Sequence, residues 1–176
     1  MSLRKLKFAI FGNIYQADRS SGIYHLLNAL AQRRAKVSME RAFYDYLAKT
    51  RGVKLDGVET FDGKDVDADY VVSMGGDGTL LRTIYCVGSR CTPIIGVNMG
   101  RLGFLAGVGV DDIDEVLDSV YNEHYVVDCL AMVQVETTRN DETDIQECAL
   151  NEIAVLKRDN ASMISIRTII NGEYIV

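Results

Sequence analysis

The chain has 176 residues, of which 48% are hydrophobic and 25% charged, and its formal net charge is −6. This length allows one ordinary domain, or one domain and part of a second, with the composition of a globular protein. The moderate acidity argues against a broad nucleic-acid-binding face. No apolar run is long enough to span a membrane, and no signal peptide is recognisable. We therefore expect a cytoplasmic protein.

The first part of the chain alternates between strand and helix patterns. Strands are predicted at residues 6–11, 36–39, 70–74 and 94–97, and helices from residue 22 and at residues 41–50, 79–87 and 111–122. The polar, glycine-containing residues 57–69 are predicted to form a loop. Such alternation favours a parallel sheet covered by helices on both faces, and therefore an α/β fold.

The pattern changes near residue 123. Strands are predicted at residues 125–138, 148–156 and 163–170 with no helix pattern between them, and Asn171-Gly172 indicates a two-residue hairpin turn. We therefore predict an α/β domain over residues 1–123 and the beginning of a β-rich domain over residues 124–176. The second arm of the last hairpin is short and apolar, from which we expect that the chain is truncated.

The four cysteines, Cys86, Cys91, Cys129 and Cys148, lack the spacing of a metal site. No two of them are two residues apart, and neither histidine lies near them in a ligand-like arrangement. We expect no zinc and free, partly buried thiols.

The most informative segment, Gly75-Gly76-Asp77-Gly78-Thr79, lies between a predicted strand and a predicted helix. Ligands of open α/β sheets bind where strand ends meet helix N-termini, and the amides there favour a phosphate. The segment lacks the Gly-Lys-Ser/Thr of a Walker loop. Its central Asp77 has three open interpretations: a ligand of a bridging Mg²⁺, a general base for an attacking hydroxyl, or a helix cap.

Other candidate residues lie in the helix after this loop and in two later segments. Arg82 would reach back toward a phosphate or lie on the surface. Phe104, in a glycine-containing turn at residues 98–105, would offer its ring to a base or pack in the core. The adjacent Asn151 and Glu152 point to opposite faces of a predicted strand, toward a ligand, an interface or a sheet edge.

These segments together resemble the NAD kinase family. The features that match are GGDGT followed by a leucine-rich helix, an N-x-G-x-L-G-F-L turn and an L-N-E strand. The resemblance implies a Rossmann-like α/β domain joined to a β-sandwich-like domain, with the active site between them. It also implies transfer of the terminal phosphate of ATP, or of polyphosphate in some members, to the 2′-hydroxyl of the adenosine ribose of NAD, with Mg²⁺ or another divalent cation.

The resemblance also implies roles for individual residues and a homo-oligomer, a dimer or tetramer, for the full-length protein. Asp77 would be the proton acceptor, and Gly78 would be its neighbour in the NAD-contacting loop. Phe104 would line the adenine side of the site. The other contacts with the dinucleotide would come from Arg82, Asn151 and Glu152. The family's further Gly-Asp-Gly segment and its Thr/Ser-rich stretch are absent from this sequence. We therefore expect the 176-residue polypeptide alone to lack NAD kinase activity and to expose β edges.

Two alternative functions remain open from the sequence. A lipid kinase of the diacylglycerol or sphingosine type shares the GGDG loop, although the turn at residues 98–105 and the Asn151-Glu152 strand argue against it. A non-catalytic nucleotide-sensing module is the second alternative, and the intact Asp77 argues against that one.

Overall fold

The computed structural model describes residues 4–14, 20–100, 104–139, 142–145, 148–150, 152–156 and 163–175. The chain divides into two compact units, Met1–Met132 and Val133–Val176. The domain boundary at residue 123 stays a prediction. The glycine-rich loop belongs to the first unit.

The first unit is built on a parallel sheet. Its strands are β1 (Lys7–Gly12), β2 (Lys36–Glu40), β3 (Glu59–Phe61), β4 (Tyr70–Gly75), β5 (Ile94–Asn98) and β6 (Val108–Gly109). They lie in the order β3-β2-β1-β4-β5-β6, and neighbouring strands are parallel. The direction of strand addition reverses between β1 and β4, which is the point where open α/β sheets bind ligands at the carboxyl ends of their strands.

Helices cover this sheet on both faces. They are α1 (Ser20–Gln32), α2 (Arg41–Asp45) with a π-helical continuation at Tyr46–Thr50, α3 (Asp77–Val87) and α4 (Ile113–Tyr121). Along β1, Phe8 and Ile10 pack in the cluster that includes α1 and α4, whereas Phe11 packs in the cluster that includes α3. The predicted α/β class is therefore confirmed.

The loop prediction for residues 57–69 is wrong in part, because β3 lies within it. The strand pairs with β2, and the ring of Phe61 packs edge-on against Phe11 with 5.1 Å between ring centroids. A three-residue strand among polar residues leaves no periodic pattern, since its pairing uses only backbone groups. The two-residue β6 escaped prediction for the same reason.

The second unit contains two short hairpins. Strand β7 (Glu136–Arg139) pairs with β8 (Glu142–Ile145), and β9 (Ile169–Ile170) pairs with β10 (Glu173–Tyr174), both antiparallel. The hairpin turn at Asn171-Gly172 is confirmed, with φ of 52° and 86° at the two residues.

The long strands predicted at residues 125–138, 148–156 and 163–170 are wrong in extent. Among their described residues, regular pairing is limited to parts of β7 and to β9, with an isolated bridge between Val133 and Ala149. Apolar side chains such as Met163 are exposed. An alternating apolar pattern forms a strand only when a neighbouring strand and a packed face are present.

The remaining sequence predictions concern cysteines and membrane helices. All four cysteines are free thiols, as predicted. Cys86 is buried and Cys148 is half-buried, but the expected burial is wrong for Cys91 and Cys129, which are exposed. No helix among the described residues is long and apolar enough to cross a membrane.

Charged side chains join α1 to α4. His25 Nε2 lies 2.7 Å from Asp114 Oδ2, and Arg33 binds Asp114 at 3.0 Å and Asp118 at 2.6 Å. The His25 hydrogen bond and then the Arg33 hydrogen bond hold the pKa of the Asp114 carboxyl below its ordinary value. Because the folded-state pKa is depressed, the stabilisation is present above the unfolded-state pKa and is lost as the pH falls through the folded-state pKa.

We expect the stability of the wild-type protein to fall more steeply with acidification below about pH 4 than that of Asp114→Asn. The asparagine variant lacks the carboxyl whose protonation breaks both contacts. Urea unfolding midpoints measured from pH 6 to pH 3 test this expectation. Parallel curves for the two proteins would show that Asp114 contributes nothing to acid sensitivity.

Candidate functional site

The loops that follow β1, β4 and β5 meet at the carboxyl edge of the sheet. Strand β4 ends at Gly75, and α3 begins at Asp77. The N–H of Asn13 donates to the carbonyl of Met74, and the N–H of Met99 donates to the carbonyl of Gly75, both at 3.1 Å. The glycine loop therefore lies at the reversal of the sheet order, next to the N-terminus of a helix.

The glycines of this loop differ in what their positions require. A Cβ added at Gly75 would lie 2.2 Å from Thr79 Oγ1, so the close approach of β4 to α3 requires glycine there. A Cβ added at Gly78 would meet nothing within 4 Å, and this residue is exposed in the first turn of α3. Packing therefore requires glycine at position 75 but not at position 78, where the exposed backbone is accessible to a ligand.

The carboxylate of Asp77 accepts three backbone hydrogen bonds from one other segment. Oδ2 accepts the N–H of Phe104 at 2.8 Å, and Oδ1 accepts the N–H groups of Leu105 and Ala106 at 3.0 and 3.1 Å. These contacts, led by Ala106 and followed by Phe104 and Leu105, hold the pKa of the Asp77 carboxyl below its ordinary value. Asp77 is therefore ionised near neutral pH and binds a second loop instead of capping α3.

The geometry also distinguishes the two oxygens of Asp77. A carboxylate has about four lone-pair positions, two on each oxygen. Among the contacts of the described residues, the two amides on Oδ1 fill that atom, whereas the single amide on Oδ2 leaves one position there. Within the part of the chain that the structure describes, Oδ2 is therefore the oxygen with an open acceptor position.

The segment that binds Asp77 is organised by Asn98, at the end of β5. This buried amide accepts the N–H of Gly100 through Oδ1 at 2.8 Å and donates through Nδ2 to the carbonyl of Ala106 at 3.4 Å. Sequence reasoning did not assign Asn98 a role, although an amide side chain ending an apolar strand was the available signal. Asn98, at the end of β5, and Asp77, at the start of α3, therefore hold the same turn.

Phe104 lies on this turn with its side chain in solvent. Its relative exposure is 104%, so the interpretation that its ring packs in the core is wrong. Its own N–H is bound by Asp77. The exposed ring therefore belongs to the residue whose N–H binds the carboxylate of Asp77 in the glycine loop.

Comparison with known proteins shows the family of this chain. Residues 8–125 match the family model of the ATP-NAD kinase N-terminal domain. The chain belongs to the NAD kinase family. It is 43% identical over 172 residues to the NAD kinase of Bacteroides fragilis, covering 97% of this chain and 58% of that protein. It is 34% identical over 173 residues to the NAD kinase of Flavobacterium psychrophilum, covering 97% of this chain and 59% of that protein.

The fold is similar to that of yeast NADH kinase, solved in complex with NADH. The TM-score is 0.65 at 15% sequence identity, over 82% of this chain and 46% of that chain. The chain spans about 58% of the length of the Bacteroides fragilis relative. The family resemblance seen in the sequence and the α/β fold that it implied are both confirmed.

In this member of the NAD kinase family, Arg82 lies against the ends of β1 and β2. Its Nη1 and Nη2 donate to the two carboxylate oxygens of Glu40, the second at 2.6 Å, and Nη2 also donates to the carbonyl of Gly12 at 3.2 Å. The guanidinium lies 5.8 Å from the ring centroid of Phe11. Glu40 is only 8% exposed, and sequence reasoning missed it because it directly follows the predicted strand.

Removing Arg82 leaves the Glu40 carboxylate buried without its bidentate partner. We expect Arg82→Ala to lower the free energy of unfolding by about 1–3 kcal/mol, the usual penalty for an unsatisfied buried group. Arg41→Ala is the matched control, because Arg41 binds Asp62 with both side chains largely exposed. Urea unfolding should show a lower midpoint for Arg82→Ala and an unchanged midpoint for Arg41→Ala. Equal midpoints would contradict a stabilising role for the Glu40 pair.

The structure brings together only some of the residues predicted from the NAD kinase resemblance. Asp77 and Gly78 lie in the first turn of α3, and Phe104 lies in the turn that Asp77 binds, all in the first unit. Arg82 is on the same helix but contacts Glu40. Asn151 lies outside the described residues, and Glu152 is exposed in the second unit.

Proposed function

We propose that the gene product is an NAD kinase, which transfers the terminal phosphate of ATP to the 2′-hydroxyl of the adenosine ribose of NAD. Family membership supports this reaction class. The observation that carries the proposal is the ionised Asp77, which begins α3 at the reversal of the sheet order and, among the described residues, has one amide on Oδ2 and one acceptor position left there.

The proposed chemistry uses the positive end of α3 and the carboxylate of Asp77. The N-terminal amides and dipole of the helix favour the phosphates of the donor. The ribose oxygen forms the new P–O bond, the bond to the leaving ADP breaks, and the hydroxyl proton passes to Asp77 Oδ2. A carboxylate with a lowered pKa is a weak base, which suits a loose phosphoryl transition state in which the proton moves late.

The divalent cation is proposed to arrive with the nucleotide. The described residues contain no group of three His, Cys, Asp or Glu side chains able to hold a metal ion. Both oxygens of Asp77 already accept amide hydrogens. Because the open position on Oδ2 is assigned to the ribose hydroxyl, we propose that Mg²⁺ enters as the magnesium complex of ATP, or of polyphosphate where that is the donor.

The remaining site residues are proposed to bind NAD. Gly78 would contact the dinucleotide through its exposed backbone, and Phe104 would cover the adenine side. Arg82 would reach the dinucleotide only by exchanging Glu40 for it. Asn151 and Glu152 would supply further contacts. We also propose a cytoplasmic homo-oligomer, a dimer or tetramer, that binds neither nucleic acid nor membrane.

An acceptor competition tests the proposed substrate. The purified full-length gene product is incubated with magnesium ATP labelled in its γ-phosphate and with equal amounts of NAD, diacylglycerol and sphingosine. The proposal predicts label in NADP alone, whereas label in either lipid would favour the lipid-kinase alternative. Binding of NAD with no transfer to any acceptor would favour the nucleotide-sensing module. Replacing ATP by polyphosphate in the same assay identifies the donor range.

A further inference from the structure

The contacts of Asp77 give it a second task besides accepting a proton. Its carboxylate binds the N–H groups of three consecutive residues, and the first of them is Phe104. Hydrogen bonds to an ionised acceptor are stronger than neutral ones, and three on one carboxylate fix the path of a loop backbone. Asp77 thereby holds the backbone from which the exposed ring of Phe104 projects.

We propose that Asp77 positions Phe104 for NAD binding, so that the acid and the aromatic ring act as one unit in recognising the dinucleotide. This inference rests on the proposed function and adds a binding role to the residue that would accept the proton. Asn98 holds Gly100 and the carbonyl of Ala106, whereas the N–H of Phe104 is held by Asp77. The N–H groups of Phe104 and Leu105 are thus held by Asp77, whereas Ala106 is held by both Asp77 and Asn98.

The two carboxylate oxygens predict different results for two substitutions. In Asp77→Asn, the remaining carbonyl oxygen can take the place of Oδ1 and keep the amides of Leu105 and Ala106, while the NH₂ group faces the N–H of Phe104 and cannot accept it. In Asp77→Ala, all three amides lose their acceptor.

Residue-resolved hydrogen–deuterium exchange on the nucleotide-free, full-length gene product tests the positioning directly. We expect Asp77→Asn to accelerate exchange by about tenfold at Phe104 with smaller changes at Leu105 and Ala106, and Asp77→Ala to accelerate all three. The matched control is Asp112→Asn, because Asp112 Oδ2 accepts the N–H of Gly109 at 3.2 Å. That variant should accelerate Gly109 and leave residues 104–106 unchanged.

A double-mutant cycle on NAD affinity tests the functional consequence. Phe104→Ala should weaken NAD binding by about tenfold through lost stacking. If Asp77 acts through the ring, Asp77→Asn should weaken binding less in the Phe104→Ala background than in the wild type. A purely direct contact of Asp77 with the ribose would give additive effects, which would overturn the proposal.

The outcomes separate this inference from the proposed function. Unchanged exchange at residues 104–106 in both Asp77 variants overturns the positioning role, whether or not the protein makes NADP. Faster exchange together with a coupled cycle supports it. If the wild-type protein neither binds nor phosphorylates NAD, the proposed function fails, and the NAD-binding part of this inference fails with it. The exchange result still tests whether Asp77 holds the backbone of residues 104–106. Protection of the α3 amides confirms that each variant is folded.

Discussion

Asp77→Asn should lower kcat for NAD phosphorylation by about 10²- to 10⁴-fold, the range expected when a positioned general base is removed. The asparagine keeps the size of the side chain and one acceptor oxygen, so the turn at residues 104–106 retains two of its three contacts with position 77. The loss in kcat should therefore exceed the change in KM for NAD. Steady-state kinetics on the full-length gene product measure both constants.

The pH dependence of the wild-type enzyme provides an independent check on the same residue. Because three amides hold the pKa of the Asp77 carboxyl below its ordinary value, it stays ionised throughout the neutral range. Its protonation should produce no fall in kcat between about pH 8 and pH 5. Asp112→Asn, which removes a carboxyl that binds a different backbone amide, should leave kcat unchanged. Unchanged kcat in Asp77→Asn would refute the catalytic role of Asp77.

Gly75→Ala and Gly78→Ala should have opposite effects on stability although the two glycines are neighbours in one loop. At Gly75 a methyl group would lie 2.2 Å from Thr79 Oγ1 and 2.7 Å from Thr79 Cβ, so β4 and α3 must separate. We expect a loss of about 1–3 kcal/mol in the free energy of unfolding. At Gly78 a methyl group has open space in a helical turn, and we expect a gain of about 0.4–1 kcal/mol.

The functional effect of Gly78→Ala distinguishes a ligand-binding glycine from a merely tolerated one. If the exposed backbone at Gly78 contacts the dinucleotide, the added methyl group should raise KM for NAD by about tenfold in a protein at least as stable as the wild type. Urea unfolding and steady-state kinetics on the same preparations separate the two effects. An unchanged KM would exclude close approach of NAD at Gly78, and a stability loss equal to that of Gly75→Ala would contradict the geometry of the loop.

The sequence predicted the elements that carry long, regular patterns. The strand leading into Gly75 and the amphipathic helix α4 both lie where periodicity places them, within one or two residues at their ends. The GGDG loop was predictable because glycines, an acid and the strand-to-helix change occur at one position. Helix α3 begins at Asp77 and not at Thr79, since its first turn contains Gly78, which weakens the helical pattern.

The contacts that give these residues their chemistry could not be predicted, because they join distant segments. The hydrogen bonds from residues 104–106 to Asp77 cross about 27 to 29 positions of the chain, and the Glu40–Arg82 pair crosses 42. No local pattern indicates such pairs. Phe104 is exposed although phenylalanine is usually buried. The average preference of a residue type for the core does not determine the burial of a single side chain in one loop.

Formation of NADP by the purified full-length gene product is the most direct test of the proposed function. The protein is supplied with magnesium ATP and NAD, and ADP and NADP are quantified together, the latter with an NADP-specific dehydrogenase. The proposed reaction predicts that the two products accumulate in equal amounts and that both depend on NAD. Release of ADP without NADP, or no reaction at all under conditions in which the protein is folded, would contradict it.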